Sequence, residues 1–246
     1  MKNNLFYDSL SADYDSMLDF NKLTDSRTEA LKKFIKSGYR NAIDIGCGTG
    51  ADSIALAKNG LKVTGYDTSD KMIQKARLNS KQNNLRIRFS NSPIQNVGVD
   101  NHSKFDIIVS LGNAIANISP VVLNKIIRKV HRLLKPEGSF IFQILNYAPL
   151  RKTGKRIVNI THGKGNMFIR FYDFENDKLI FNVLRVNESS LKEYDLISTE
   201  LFEYNRSDLK AILNKAGFNK IKYYSDLNKS EFEQNKSKDL IVTAVK

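Results

Sequence analysis

The residues best suited to chemistry lie in a glycine-rich segment between an apolar run and a helical pattern. The segment reads Ile43-Asp44-Ile45-Gly46-Cys47-Gly48-Thr49-Gly50. Its glycines let the backbone turn sharply and let a ligand approach within van der Waals contact. The N-terminus of the helix that follows favours negative charge or lone pairs. The segment therefore predicts a ligand-binding loop.

Two carboxylates near this loop narrow the choice of ligand. Asp67 ends the next predicted strand, 21 positions after Gly46, where a carboxylate can accept hydrogen bonds from both hydroxyls of a ribose. NAD and S-adenosylmethionine both carry a ribose, and Gly46-x-Gly48-x-x-Ala51 fits the dinucleotide pattern loosely. Asp44, just before the glycines, would repel a pyrophosphate but suits an ammonium and a sulfonium group. S-adenosylmethionine is therefore favoured over NAD, although Asp44 could instead brace the loop or cap the helix.

Alternating strands and helices must hold these residues in place. Apolar runs predict strands over 41–45, 62–67, 85–89, 105–110 and 140–145, and helical spacing predicts helices over 25–37, 51–59, 70–82 and 121–134. A turn is predicted over 135–138. This alternation predicts an α/β fold with a doubly wound, mostly parallel, Rossmann-like sheet covered by helices on both faces.

The pattern changes after the fifth strand. Residues 156–204 are rich in alternating β-type segments, which predict an antiparallel insert. A helix over 208–216 and strands over 220–224 and 240–245 then complete a seven-stranded sheet. We expect one domain over 1–246, with an N-terminal lid over 1–24 and a substrate subdomain over 151–204.

Composition limits the classes of function. The net charge of +13 favours nucleic acid, but 27 of the 39 basic residues are lysine and 25 residues are asparagine, a bias typical of AT-rich codons. Charge alone argues only for non-specific attraction, so nucleic acid is not the expected partner. A single cysteine, Cys47, excludes a disulfide framework and a multi-cysteine metal site, and no metal is expected. The sequence has no secretory h-region and no membrane span, so a cytoplasmic protein is expected.

Two motifs resemble class I S-adenosylmethionine-dependent methyltransferases. Asp-Ile-Gly-Cys-Gly-Thr-Gly at 44–50 looks like the first motif of that family, and Leu-Leu-Lys-Pro-Glu-Gly at 133–138 resembles a later one. The segments at 25–28, 50–56, 67–73 and 111–117 are similar to the glycine/sarcosine N-methyltransferase branch. The resemblance spans the first 145 residues. It implies an enzyme that uses S-adenosylmethionine, releases S-adenosylhomocysteine and acts on a small-molecule acceptor.

The resemblance also implies roles for individual residues. Arg27 would bind the methionine carboxylate of the cofactor, Asp67 the ribose, and Thr68 and Met72 would flank the adenine. The full cofactor-binding set is Tyr14, Arg27, Asp44, Gly46, Cys47, Gly48, Gly50, Asp67, Thr68, Met72, Ser92, Ile94, Leu111 and Asn117. Asn117 stands where the branch commonly has histidine, and the acidic residue usual after the third strand is missing.

The acceptor side departs further from that branch. Leu145 occupies the position of an arginine that binds the substrate carboxylate in glycine-methylating enzymes, so glycine is not the expected acceptor. Methyl transfer depends mainly on positioning and does not require a general base. Tyr14 and Tyr147 are the catalytic candidates, and transfer to an amine nitrogen is expected. An RNA- or tRNA-directed methyltransferase and a non-catalytic adenosyl-ligand-binding partner protein are the alternatives.

Overall fold

The computed structural model describes residues 3–175 and 178–246 as two sheets with helices packed on them. The helices are α1 (Asn3–Leu10), α2 (Tyr14–Leu18), α3 (Phe20–Lys32), α4 (Ala51–Lys58), α5 (Asp70–Gln82), α6 (Pro120–Leu133), α7 (Ala148–Thr153) and α8 (Arg206–Ala216). The strands of the larger sheet are β1 (Asn41–Ile45), β2 (Lys62–Asp67), β3 (Arg88–Asn91), β4 (Phe105–Ser110) and β5 (Leu134–Leu145), and, after the insert, β10 (Asn219–Tyr224) and β11 (Asp239–Val245). The insert contributes β6 (Ile157–Gly163), β7 (Asn166–Glu175), β8 (Lys178–Asn187) and β9 (Tyr194–Leu201).

The seven strands of the larger sheet lie in the order β10-β11-β5-β4-β1-β2-β3. Strands β1 to β5 pair in parallel, whereas β11 is antiparallel to both β5 and β10. The predicted fold class is therefore confirmed. Since β1 lies between β2 and β4, the chain reverses its winding there, and a crevice opens at the carboxyl ends of these strands.

Both faces of this sheet are buried, which explains why its strands read as nearly continuous apolar runs. On one face Ile43, Ile108 and Phe140 pack against α6 and α8. On the other, Ala42 and Ile107 pack against residues of α3 and α4. The polar exceptions in such strands are informative, because a buried polar group needs a partner or a function.

The insert is a four-stranded antiparallel sheet in the order β6-β7-β8-β9. Phe168, Val183 and Ile197 on one face of this sheet pack against Phe6 and Met17 of the N-terminal helices. The insert and the first two helices thus share a core, and that core stands beside the crevice of the larger sheet. No helix in the described part of the chain is long and apolar enough to cross a membrane.

The boundaries of three elements differ by three or more residues from those predicted. The third strand begins at Arg88 rather than at residue 85, because the Leu85 amide donates to the Ser80 carbonyl at 3.0 Å and extends the end of α5. The helix predicted over 25–37 spans Phe20–Lys32 instead. The strand predicted over 140–145 begins at Leu134, and Glu137, with φ of 59°, bends it where a separate turn was predicted.

Asp106 joins the amino-terminal ends of three strands of the larger sheet. Its carboxylate accepts from the Arg40 amide at 2.9 Å, the Asn41 amide at 2.8 Å and Lys135 Nζ at 2.7 Å. Burial raises the pKa of this carboxyl, but the bonds from Lys135, Asn41 and Arg40 outweigh burial and hold the pKa below its usual range. The folded state therefore favours the ionised carboxylate. This contribution to stability is present above the unfolded pKa and is lost as pH falls through the folded one.

We expect Asp106→Asn to lower the free energy of unfolding by about 2 kcal/mol at pH 7, since bonds to an ionised group are each worth more than neutral ones. Urea unfolding at pH 7 and near pH 3 measures this difference. The gap between variant and wild type should narrow at the lower pH, because the unfolded wild-type chain binds a proton at Asp106 more readily than the folded protein does. An equal gap at both pH values would show that ionisation of Asp106 does not stabilise the fold.

Candidate cofactor and acceptor site

A cavity of about 510 Å³ opens at the carboxyl ends of β1, β2 and β4. The glycine loop, the segment after β3 and residues of the first three helices form its walls. The predicted cofactor residues that line it are Tyr14, Arg27, Gly46, Cys47, Gly48, Asp67, Thr68, Met72, Ser92, Ile94, Leu111 and Asn117. Asp44, Gly50 and Tyr147 lie outside this lining. The structure thus brings most of the predicted set to one cavity.

The glycine loop requires glycine for two different reasons. Gly46 has a φ of 69°, and a Cβ built there would lie 2.7 Å from the Ala114 Cβ. Gly50 has a φ of 93°, and a Cβ there would lie 3.2 Å from the Ala76 Cβ, so it lets α5 pack on the loop. The amides of Gly46 and Cys47 both donate to the Tyr66 carbonyl, at 2.8 and 3.1 Å. The loop is therefore fixed to the end of β2.

Asp67 is held at the end of β2 by backbone amides. Its Oδ2 accepts from the Gly48 amide and its Oδ1 from the Ser69 amide, both at 2.9 Å. Burial raises the pKa of Asp67, while bonds from Ser69, Gly48 and Thr68 oppose that shift. Since each carboxylate oxygen has two lone pairs, both oxygens can still accept a hydroxyl from the cavity. Asp67 therefore presents two fixed carboxylate oxygens as hydrogen-bond acceptors to a ligand at this end of the cavity.

A group of buried acids lies around the loop. Asp44 is only 1% exposed; its Oδ2 accepts from Ser53 Oγ at 2.7 Å, and its Oδ1 has no hydrogen-bond partner in the described residues. Burial, and then the nearby charge of Asp52, raise the pKa of Asp44 well above its usual range. Asp52 itself lines the cavity. Carboxylates placed this way are stabilised by an incoming cation.

Arg27 reaches the cavity from α3. Its Nη2 donates to Gln143 Oε1 at 2.9 Å, and its Nε lies 3.2 Å from Asp52 Oδ1. Gln143 also accepts from the Gly112 amide at 3.1 Å and donates to Asp239 Oδ1 at 3.0 Å. The guanidinium is therefore oriented by two partners, Gln143 of β5 and Asp52 of α4.

Sequence reasoning missed Asp52 and Gln143. The signals were present: Asp52 lies in the first turn of the helix after the glycine loop, and Gln143 is a polar residue within an apolar strand. Neither position is informative without its neighbours, because an acid in a first turn is usually a favourable charge at the helix N-terminus.

The N-terminal helices cover one side of the cavity. Thr68 Oγ1 donates to Asn4 Oδ1 at 2.8 Å, and Ser69 Oγ donates to Asp8 Oδ1 at 2.5 Å. The Tyr7 hydroxyl hydrogen-bonds to the Asn117 side chain, accepting from Nδ2 at 3.0 Å. These bonds tie α1 to the loops that follow β2 and β4.

Tyr14 and Tyr147, the two catalytic candidates, lie in different surroundings. The Tyr14 ring lies 4.0 Å from the point where a Cβ on Gly48 would stand, and burial raises its pKa to about 12. Tyr147 is buried, and its hydroxyl accepts from Asn113 Nδ2 at 2.9 Å. It packs edge to face on Tyr172, with 5.5 Å between ring centroids. Burial also raises the pKa of Tyr147, so both side chains are neutral phenols near pH 7.

Leu145, the position that departs from the glycine-methylating branch, is buried in an apolar cluster. Its neighbours there include Ala116, Tyr147, Tyr172 and Leu201. Its backbone amide donates to Asn113 Oδ1 at 2.8 Å. The Leu145 side chain itself offers no positive charge to a carboxylate.

The strand order, the glycine loop and the acid at the end of β2 are the arrangement of a Rossmann-like ligand-binding fold. Residues 42–138 match the family model described as a methyltransferase domain. The chain is 23% identical over 222 residues to a glycine/sarcosine N-methyltransferase of Parasynechococcus marenigrum (strain WH8102), which covers 89% of this chain and 77% of that one. Its fold is similar to that of an S-adenosylmethionine-dependent methyltransferase from Clostridium acetobutylicum, with a TM-score of 0.75, 19% identity and coverage of 97% and 98%. The CcbJ methyltransferase from Streptomyces caelestis gives a TM-score of 0.74 at 19% identity, covering 89% of this chain and 88% of that one.

The match over residues 42–138 and these similar proteins confirm the predicted resemblance to S-adenosylmethionine-dependent methyltransferases. The prediction of an enzyme of this class is confirmed with it.

Proposed function

We propose that this protein transfers the methyl group of S-adenosylmethionine to an amine nitrogen of a small molecule other than glycine. The observation that carries the proposal is the carboxylate of Asp67, held by two backbone amides at the edge of a cavity that Arg27 also lines. That pair offers acceptors for ribose hydroxyls at one end and a cation for a carboxylate at the other.

The residues present fit this cofactor. The unpartnered Oδ1 of Asp44 and the carboxylate of Asp52 beside the cavity suit an ammonium and a sulfonium. Thr68, Met72, Ser92 and Ile94 would surround the adenine, and Leu111 and Asn117 the methionine portion. When bound, the cofactor supplies a methyl group activated by its positive sulfur.

The chain itself would contribute positioning. In-line displacement requires the nucleophile and the methyl carbon to be held close and aligned, and this can lower the barrier substantially. Tyr7 and Tyr14 close the cavity with neutral phenols, so they can donate hydrogen bonds and exclude water but are poor bases at pH 7. The acceptor amine must arrive neutral, and a desolvating site favours that form. In this proposal Tyr14 positions the acceptor. Tyr147 acts indirectly, by holding Asn113 through the hydrogen bond to its hydroxyl.

One feature supports a nitrogen atom as the methyl acceptor, and another argues against glycine as the substrate. The relative from Parasynechococcus is named as an N-methyltransferase of glycine and sarcosine, which supports an amine acceptor. Leu145 lies among Ala116 and Tyr172 in an apolar cluster, and a glycine carboxylate placed there would have no charged partner.

The experiment is binding followed by an acceptor screen. We expect calorimetry to show binding of S-adenosylmethionine and S-adenosylhomocysteine, with no comparable binding of NAD. A screen of amines, amino acids, phenols and tRNA, read as S-adenosylhomocysteine formed, should give turnover on an amine and only weak turnover on glycine. Tighter binding of NAD than of S-adenosylmethionine would overturn the proposed cofactor assignment. Preferred turnover of tRNA, phenols or glycine would overturn the proposed amine acceptor. Binding of the cofactor without any turnover would favour a non-catalytic ligand-binding protein.

A further inference from the structure

One arginine of the insert differs from the others in its surroundings. Arg151 pairs with Glu203 at 2.8 Å, Arg156 with Asp173 at 3.0 Å, and Arg185 with both Asp13 and Asp195, at 2.8 and 2.5 Å. Arg170, the fourth arginine of this segment, has no ion pair to any acid in residues 3–175 and 178–246. Its Nε is buried and lacks a hydrogen-bond partner within the same residues.

The strand register places Arg170 on the covered face of the insert. It lies opposite Val183 on β8, and Phe168 and Tyr172 are its neighbours two positions away on β7. Because side chains alternate along a strand, these residues share one face. Phe168 and Val183 are fully buried against the N-terminal helices, and Tyr172 is 6% exposed. Arg170 thus lies beside buried apolar residues, on a face that also carries Arg185, which stands opposite Phe168 and pairs with Asp13.

That face reaches the cavity through the N-terminal helices: Tyr7 and Tyr14 line the cavity and pack against the cluster of Phe168 and Val183. Arg170 itself is not among the residues that line the cavity. The charge of Arg170 acts on the hydroxyls of Tyr14 and Tyr172, lowering the pKa of each against the stronger effect of burial. Tyr14 lines the cavity beside Gly48 and is also near the charge of Asp67. Tyr14 therefore connects the candidate cofactor end of the site to the guanidinium.

Arg170 is half-buried, and its buried Nε is left without a hydrogen-bond partner in the described residues, which carries a cost in free energy. Burial disfavours its charged form and lowers the pKa of Arg170, but arginine stays protonated at any physiological pH. A buried charge is destabilising unless it is paired. An anion that entered beside Tyr14 could pair with the guanidinium, whose fork of donors matches a planar oxyanion.

We propose that Arg170 binds a carboxylate of the methyl acceptor; this inference rests on the proposed function. The class of acceptor is therefore an amine that also carries a carboxylate and is not glycine. A carboxylate is favoured over a phosphate monoester because one guanidinium neutralises one charge, while Asp67 near Tyr14 would repel a second. Leu145 of β5 offers no charge to this carboxylate. Arg170 of the insert would bind it instead. Specificity for the acceptor would then depend on Arg170.

The test uses benzoate, its uncharged analogue benzamide, and phenyl phosphate as probes, since aromatic side chains surround Arg170. Each is titrated into the full-length protein, alone and saturated with S-adenosylhomocysteine, by calorimetry or ligand-detected NMR. We expect benzoate to bind at least tenfold more tightly than benzamide and more tightly than phenyl phosphate. Arg170→Met should remove the preference over benzamide, Arg170→Lys should keep part of it, and Arg156→Met, which removes a paired arginine of the same sheet, should leave it unchanged.

Melting temperatures separate binding from folding. Arg170→Met should melt no lower than wild type, because it keeps an apolar side chain and removes a half-buried charge that has no ion pair in the described residues. Equal binding of benzoate and benzamide by the wild type, or a preference that survives Arg170→Met, would overturn the role of Arg170. Tighter binding of phenyl phosphate would overturn the choice of carboxylate. Failure of S-adenosylhomocysteine to bind would overturn the proposed function, while titration of the protein alone still decides on Arg170.

Discussion

Replacing Asp67 with alanine should weaken the binding of S-adenosylmethionine and of S-adenosylhomocysteine about 100-fold. The carboxylate would accept two ribose hydroxyls, and hydrogen bonds to a charged group contribute roughly 1.5–3 kcal/mol each. It also fixes the Gly48 amide at 2.9 Å, so its loss loosens the loop. Both ligands should be affected alike, because they share the ribose.

Calorimetry on matched variants checks this result. Asp70→Ala is the control, since Asp70 lies three positions further on at the exposed start of α5 and contacts only Gln74 in the described structure. Its affinity should stay within about twofold of wild type. Asp67→Asn should be intermediate, because the amide keeps one acceptor oxygen but turns an NH2 toward a backbone donor. Unchanged affinity in Asp67→Ala would remove the main support for the cofactor.

The second large effect is expected at Gly46. Gly46→Ala places a Cβ 2.7 Å from the Ala114 Cβ at a φ of 69°. Positive φ costs a non-glycine residue about 1 kcal/mol or more, and overpacking typically adds 1–3 kcal/mol. We expect the free energy of unfolding to fall by roughly 2–4 kcal/mol, and cofactor affinity to fall at least tenfold as the loop shifts.

Two further variants separate these two costs. Gly60 has a φ of 84° and no atom within 4 Å of a built Cβ, so Gly60→Ala reports the backbone cost alone and should lower stability by only about 1 kcal/mol. The double variant Gly46→Ala/Ala114→Gly removes the opposing methyl group and should recover most of the overpacking cost. Urea unfolding measures both, and a double variant no more stable than Gly46→Ala would show that the contact with Ala114 is not what requires glycine.

The predictable part of the fold was the part encoded in local pattern. Apolar runs followed by Gly and Asp placed β1, β2 and the crevice, because buried parallel strands carry a continuous apolar signal. The third strand was misplaced since Leu85 looks like the start of a strand, whereas its amide completes the end of α5 through Ser80. Competition between a helix end and a strand start is decided by tertiary contacts that the sequence does not display.

The site also has a part that local sequence patterns predict and a part that only the folded structure reveals. Most of the predicted cofactor residues line one cavity, because motif spacing fixes which residues follow each strand. Gln143 and Asp52 escaped notice because their role is to orient Arg27 across the crevice. Arg170 escaped notice for a related reason. The insert holds four arginines, and only their pairing in three dimensions shows which one has no carboxylate partner among the described residues.

The hydrogen bonds between α1 and the loops after β2 and β4 carry a kinetic consequence. Asn4 accepts from Thr68, Asp8 accepts from Ser69, and Tyr7 accepts from Asn117, so the helix spans residues that would touch both ends of a bound nucleoside. We expect a ligand beneath α1 to depart only after these bonds open together. The residence time of the product is therefore governed by the opening frequency of α1, and shortening the N-terminus should raise the dissociation rate more than it lowers the association rate.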